Sequence, residues 1–156
     1  MDDLRVEKRD DIESTYREHG KRLWWALLAY TGDREVANDA MAEAFAQALR
    51  AERGIRSPAD WVWRVAFRIA SAELKRRGRI AAPVDRPYEI DDRVSSLLSH
   101  LAKLSPRQRS AIVLYYYAGY TTKEIASMTG SSGATVAVHL HRGRRRLREL
   151  LEDGDE

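Results

Sequence analysis

The sequence predicts an all-α protein of two small helical domains joined by a linker, with a helix-turn-helix in the second domain. The helix formers Ala, Leu, Arg and Glu are abundant. Apolar residues recur at helical spacing on both sides of a central stretch that lacks this period. Hydrophobic residues make up 44% of the 156 residues, which is enough to form a core.

The first domain is expected at residues 1–78, with three helices. The first helix is predicted from about Asp10 to Tyr30, and Asp33 is a good N-cap for the second. The buried side of the second helix is predicted to carry Val36, Ala37, Ala40, Ala44, Phe45, Ala48 and Leu49. Ser57 and Pro58 begin the third helix as a cap followed by a first-turn proline. Its inward side chains are predicted to be Trp61, Val62, Val65, Ala66 and Ile69.

A linker is predicted at residues 79–92, where two prolines interrupt any helical period. The second domain is expected at residues 93–156. Its fourth helix carries leucines at helical spacing, and a fifth helix begins after Ser105-Pro106 and runs to about Ala118. Two more helices, over residues 121–128 and 132–151, flank a short turn.

This last helix pair has the spacing of a helix-turn-helix. Ala126 is small where the two helices cross, and Gly130 allows a left-handed turn. Val136 is placed to be buried against the first helix, and Ser132 can cap the second. Arginines follow at residues 142, 144, 145, 146 and 148, where they can neutralise phosphates. The alternative is an ordinary helical hairpin with a solvated arginine face.

The composition gives little support for an enzyme. The formal net charge is +3, and there is no cysteine to form a disulfide, act as a nucleophile or bind zinc. The two nearest histidines, His139 and His141, point to different sides of a helix and make a poor metal pair. No phosphate-binding loop is present, so neither a cofactor nor a metal is expected. Without a signal peptide or a membrane span, a cytoplasmic protein is expected.

Several motifs resemble bacterial sigma factors. Residues 101–109, 115–119, 124–126, 130, 132, 135–136 and 140–144 resemble region 4 of that family. Residues 32–33, 39, 43–45 and 61–66 resemble region 2, and the two matches occur in the family's order. The compact form, matched from about Asp11 to Leu151, resembles the extracytoplasmic-function (ECF) group.

The resemblance implies a subunit that binds core RNA polymerase and promoter DNA. It places Asp39 and Glu43 on the polymerase clamp. It assigns the −10 element to Arg53, Arg56, Ser57, Trp63, Arg64, Arg68 and Lys75, with Trp63 pointing away from the core to stack on an unpaired base. The −35 element is assigned to Ser132, Gly133, Thr135, His139, Arg142, Arg144 and Arg145. Gly133, Thr135 and His139 are expected to be the first exposed positions of this helix. Family members are often held inactive by an anti-sigma factor, which is therefore an expected class of partner.

Three alanines depart from the family pattern. Ala42, Ala72 and Ala137 stand where polar or charged residues are frequent. Two other functions therefore stay open. One is a free-standing helix-turn-helix regulator, and the other is a sigma-like interaction protein with reduced DNA recognition.

Overall fold

The computed structural model describes residues 2–51, 54–78 and 91–154, and within these ranges it contains helices and no strand. The expected all-α fold is confirmed. No helix in the described ranges has the length and hydropathy to cross a membrane. The α-helices in the described part of the chain are α1 (Asp2–Thr31), α2 (Arg34–Arg50), α3 (Pro58–Arg77), α4 (Asp92–Ala102), α5 (Pro106–Ile112), α6 (Thr122–Thr129) and α7 (Gly133–Asp153). The predicted linker residues 79–90 and the predicted DNA contact Arg53 lie outside the described residues.

Helices α1, α2 and α3 pack together as an N-terminal unit. The Asp33 carboxylate accepts a hydrogen bond from the backbone N–H of Val36 at 3.1 Å, so the predicted N-cap of α2 is confirmed. The predicted buried side of α2 is also correct except for Leu49, which is 49% exposed at the outer side of the last turn. Helix α1 begins eight residues before the predicted start. Its first turns expose Leu4 and Val6, so no buried apolar stripe marks them.

Helices α4 to α7 form a C-terminal unit around Leu114, Ile125, Val136 and Leu140. Ser105 and Thr121 each cap a helix in a capping box, with Gln108 and Glu124 as the reciprocal partners. The fifth helix was predicted to stay α-helical to about Ala118. It instead widens into a π-helix at Val113–Tyr117, which displays three exposed tyrosines.

The two units share one hydrophobic core. Arg109, in the C-terminal unit, is 9% exposed and donates to the carbonyls of Tyr30 at the end of α1 and of Leu104. Its guanidinium also lies 5.6 Å from the Tyr30 ring centroid. A cation suits this position because helix C-termini carry partial negative charge. Arg109 therefore connects the C-terminal unit to the end of α1. The predicted division of the chain into two domains stays a prediction.

Candidate nucleic-acid interface

The helix-turn-helix has the predicted local geometry. Gly130 adopts φ 70° and ψ 32°, the left-handed conformation that glycine accepts without strain. The Ser131 backbone N–H donates to the Ala126 carbonyl at 3.0 Å, which closes the end of α6. Ser132 caps α7 by accepting from the Thr135 N–H at 3.1 Å. With Ala126 and Val136 both buried, the crossing of the two helices is confirmed.

The most exposed residues in the first turns of α7 differ from those predicted. Thr135 and His139 are half-buried, and the Thr135 hydroxyl lies 2.9 Å from the Ser132 hydroxyl. The exposed face instead carries Ala134, Ala137 and Val138. The Thr135 hydroxyl contacts the capping Ser132, and the charge of Arg107 on α5 acts on His139, so both side chains lie toward neighbouring parts of the fold. The expectation that they are the first exposed positions is wrong.

His139 lies in a positively charged setting. Partial burial lowers the pKa of its imidazole, and the charges of Arg107 and Arg142 lower it further. The ring is therefore neutral at pH 7 and offers one donor and one acceptor. Its base-contacting role stays a prediction, made less direct by its half-buried position.

The arginines further along α7 are exposed as predicted. Arg142, Arg144 and Arg145 all face solvent, and the Arg144 guanidinium donates to the Tyr116 hydroxyl at 3.0 Å. A shallow basic pocket of about 440 Å³ is lined by His141, Arg144, Arg145 and Arg148. This pocket concentrates positive charge where phosphate oxygens would be favoured.

A second basic surface follows α3. Arg64, Arg68 and Lys75 lie along one side of this helix, with Arg68 and Lys75 exposed and Arg64 half-buried. Arg56 is exposed just before the helix. Ser57 occupies the N-cap position, but its hydroxyl bonds to the Asp60 carboxylate at 3.0 Å instead of capping the backbone.

Trp63 is buried, contrary to the prediction that it points away from the core. It is 3% exposed, stacks at 6.1 Å on Phe67 and meets the Tyr120 ring edge-on at 6.0 Å. Trp61, predicted to be core, is instead partly exposed. The buried face of α3 is rotated because Tyr120, from the C-terminal unit, covers Trp63. In this arrangement Trp63 cannot stack on a base.

The Tyr120 contact is strengthened by a hydrogen bond between the units. The Tyr120 hydroxyl donates to the Asp60 carboxylate at 3.1 Å. Burial raises the pKa of this hydroxyl, and the nearby Asp60 charge raises it further, so it stays protonated and able to donate. Tyr120 therefore holds the start of α3 against the C-terminal unit.

A cleft of about 920 Å³ separates the two predicted DNA surfaces. Arg68 and Lys75 of α3 line one side, and Ser131 and His139 of the helix-turn-helix line the other. The packed arrangement thus places parts of the two surfaces across one cleft.

The basic cluster at the end of α3 is partly neutralised within the protein. Glu73 forms ion pairs with Arg76 at 2.6 Å and with Arg77 at 3.0 Å, and Arg77 also contacts Asp33 at 2.7 Å. Hydrogen bonds from Arg76 and then Arg77 lower the pKa of Glu73 to about 2. Arg77 therefore fastens α3 to the start of α2, while Lys75 remains exposed.

The predicted polymerase contacts, Asp39 and Glu43, are both exposed on α2, one helical turn apart. The Glu43 carboxylate accepts from the Gln47 amide at 3.1 Å and from Arg50 at 3.0 Å. These bonds, with Gln47 contributing most, lower the pKa of Glu43 and keep it charged.

Sequence reasoning missed a contact between α1 and α2 that involves Trp24. The Trp24 indole N–H donates to the Asn38 side chain at 2.6 Å, and Arg34 lies 5.8 Å from the Trp24 ring centroid. Trp24 lies on α1 and Asn38 lies 14 residues later on α2, so no pattern within one helix predicts this contact.

Within the ranges that the structure describes, no group of three His, Cys, Asp or Glu side chains is placed to hold a metal ion.

The family model for region 4 of sigma-70 matches residues 95–147, which include α6 and most of α7. Along 92% of the chain the sequence is 31% identical to a probable ECF RNA polymerase sigma factor, SigI, of Mycobacterium tuberculosis. It is 27% identical to the RNA polymerase sigma factor CarQ of Myxococcus xanthus over 97% of this chain and 95% of that relative. The chain spans 57% of the length of SigI.

Two solved structures share the fold over 97% of this chain and 98% of theirs. The structure of CnrH in complex with the cytosolic domain of CnrY has a TM-score of 0.70 and 22% identity. The sigma factor RpoE of Bartonella quintana, crystallised with the anti-sigma factor NepR, has a TM-score of 0.65 and 21% identity.

Residues 95–147 are thus similar to region 4 of sigma-70 factors. Along nearly its whole length, the chain is similar to ECF and other RNA polymerase sigma factors.

Proposed function

We propose that the chain is a promoter-recognition subunit that binds core RNA polymerase and directs transcription initiation at −35 and −10 promoter elements. The observation that carries the proposal is the region 4 helix-turn-helix, whose α7 continues into an exposed run of arginines. The chain would supply recognition, whereas polymerase would supply the chemistry, so no enzymatic activity is assigned to it. Acting with polymerase, it would work in the bacterial cytoplasm.

The α2 face supplies the proposed polymerase contact. Asp39 and Glu43 present two negative charges one turn apart on an exposed, alanine-rich helix. A basic partner surface can pair with both at once, although it must compete with Arg50 for Glu43. Such complementary charge contributes mainly to specificity and association rate.

The α7 surface supplies the proposed −35 contact, and the α3 surface supplies the −10 contact. Residues early in α7 face base edges, and Arg142, Arg144 and Arg145 lie further along, where phosphates pass. On α3, Arg56, Arg68 and Lys75 would follow the backbone of the opened strand.

The two units must separate before they can contact both elements. Promoter elements about 25 base pairs apart are roughly 85 Å distant along B-form DNA, at ~3.4 Å per base pair. A compact chain of this length has a radius of gyration of only about 15 Å. The packed form, with its facing surfaces and covered Trp63, is therefore the form that does not bind promoter DNA.

An anti-sigma factor is the proposed regulatory partner. Of the two solved structures that share the fold, one is CnrH in complex with the cytosolic domain of CnrY, and the other is the sigma factor RpoE in complex with the anti-sigma factor NepR. A partner that stabilises the packed form would prevent the α3 and α7 surfaces from binding promoter DNA together.

The test combines core polymerase with a polymerase-binding variant. We expect the wild-type chain to bind core polymerase, and Asp39→Ala/Glu43→Ala to bind it at least tenfold more weakly, from the loss of two pairs worth about 1 kcal/mol each. Ala is a better helix former than Asp, so folding should hold. The matched control is Glu13→Ala/Glu18→Ala, which removes two exposed carboxylates from α1.

Equal loss in the control, or unchanged affinity in the α2 variant, contradicts the assignment of Asp39 and Glu43. Tight, sequence-specific binding of duplex DNA by the chain without polymerase would instead support a free-standing regulator.

A further inference from the structure

The outward face at the start of α7 is apolar. Ala134 and Ala137 are exposed, and Val138 is 45% exposed. The neighbouring polar side chains make contacts elsewhere. The Thr135 hydroxyl bonds to the Ser132 hydroxyl, and His139 lines the cleft. These three apolar residues, here called the apolar face, occupy the outer side of the first turns of the second helix of the helix-turn-helix.

The fold itself does not require the apolar face. Val136 and Leu140 already bury the inner side of α7 against α5 and α6. A β-branched valine is a poorer helix former than alanine, and Val138 leaves 45% of its surface exposed. An exposed apolar patch with a polar surround is typical of a contact surface.

The surrounding charge indicates that the occupant is DNA. The positive N-terminal end of α7 lies on one side of the apolar face, and His141, Arg142, Arg145 and Arg148 lie on the other. Phosphates contacted at both ends would place the apolar face over the floor of the major groove.

We propose that Val138, flanked by Ala134 and Ala137, contacts the C5-methyl groups of thymines in the −35 element. This inference rests on the proposed function. The thymine methyl is the apolar feature of the major groove, and an aliphatic side chain can contact it without leaving a hydrogen bond unmade. A guanine or cytosine edge at the same place would lose its water and gain no partner, so the apolar face also disfavours G·C pairs.

The test replaces thymine by uracil, which removes only the C5-methyl group. A randomised −35 element is first selected with the holoenzyme formed from core polymerase and the full chain. Each thymine of the selected element is then replaced singly by uracil, and holoenzyme affinity is measured at fixed salt. At one or two positions we expect a loss of about fourfold, the value for uncovering one methyl-sized apolar group.

The variant Val138→Ala assigns the methyl contact to its side chain. We expect it to bind the thymine element more weakly and to lose the thymine–uracil difference at the Val138 position. Ala raises helix propensity, so the variant should fold. Val6→Ala, at an exposed valine of α1, is the matched control and should keep the full difference.

Three outcomes would overturn the inference while the proposed function stands. They are a selected element without thymine, equal affinity for thymine and uracil at every position, and a Val138→Ala holoenzyme as sensitive to uracil as the wild type. If the wild-type holoenzyme selects no element at all, the proposed function fails and this inference fails with it.

Discussion

Removing the Arg109 side chain should destabilise the contact between the two units. Its guanidinium donates to the backbone carbonyls of Tyr30 and Leu104 and lies against the Tyr30 ring, while the residue is 9% exposed. Burial lowers the pKa of this guanidinium, yet arginine stays charged at any pH at which the protein is folded. The charge is therefore present and is stabilised by these acceptors.

The magnitude follows from what Arg109→Ala leaves behind. Hydrogen bonds from a charged group contribute about 1.5–3 kcal/mol each, and the cost of burying the guanidinium offsets part of their sum. Truncation also leaves two carbonyls without their donor and opens a cavity. We expect the free energy of unfolding to fall by about 3 kcal/mol, which lowers Tm by roughly 6–12 °C for a chain of this size.

Urea denaturation followed by circular dichroism measures this change directly. Arg107→Ala is the matched control, because Arg107 is exposed on the same helix two residues away, and it should change stability by less than about 0.5 kcal/mol. A loss for Arg109→Ala as small as that of the control would refute the assigned contact.

Three further changes test the packing and the charges. Gly143→Ala should lower the free energy of unfolding by about 1 kcal/mol in urea denaturation. A Cβ there would lie 3.0 Å from Ile112 Cγ1, and the cost of overpacking outweighs the gain in helix propensity. A variant more stable than the wild type would show that Ile112 moves to accommodate the methyl group. Glu73 has a pKa lowered to about 2 from 4.5, so its stabilising effect is present above 4.5 and is lost as the pH falls to about 2. Glu73→Gln should therefore lose less stability than the wild type over this interval, and parallel pH curves would argue against the ion pairs. Tyr120→Phe removes the hydrogen bond to Asp60 but keeps the ring, and should lower the free energy of unfolding by about 1 kcal/mol in thermal or urea denaturation. An unchanged free energy of unfolding would indicate that water replaces this hydrogen bond at no cost.

The helix-turn-helix and the starts of α2 and α7 could be predicted because their causes are local. Gly130 needs only its own left-handed conformation, and Asp33 and Ser132 cap helices through neighbours three residues away. The turn and both caps can therefore be predicted from residues that lie within a few positions of each other in the sequence.

The burial of Trp63 could not be predicted because its cause is distant in sequence. Tyr120, 57 residues later, covers it, and the cover depends on how the two units pack. The helical period of α3 permits either Trp61 or Trp63 to face inward, so the sequence of the N-terminal unit alone does not decide between them. The same applies to Arg109, whose partner Tyr30 is 79 residues away.

The exposed side of α7 was missed for a subtler reason. Val136 and Leu140 fix the buried side, but the polar character of Thr135 and His139 favoured them as DNA contacts over the apolar Ala134, Ala137 and Val138. The helical period counted from the buried Val136 and Leu140 places Ala134 and Val138 on the far side of α7, but it does not distinguish Ala137 from His139.

In vitro transcription with purified core polymerase tests the central claim most directly. Core polymerase alone, and core polymerase with the full chain, are given templates that carry the selected −35 and −10 elements, and transcript starts are mapped. We predict defined starts a fixed distance downstream of the −10 element only when the chain is present, and loss of those starts when either element is scrambled. If the chain produces no defined start, or if its starts ignore both elements, the chain is not acting as a promoter-recognition subunit.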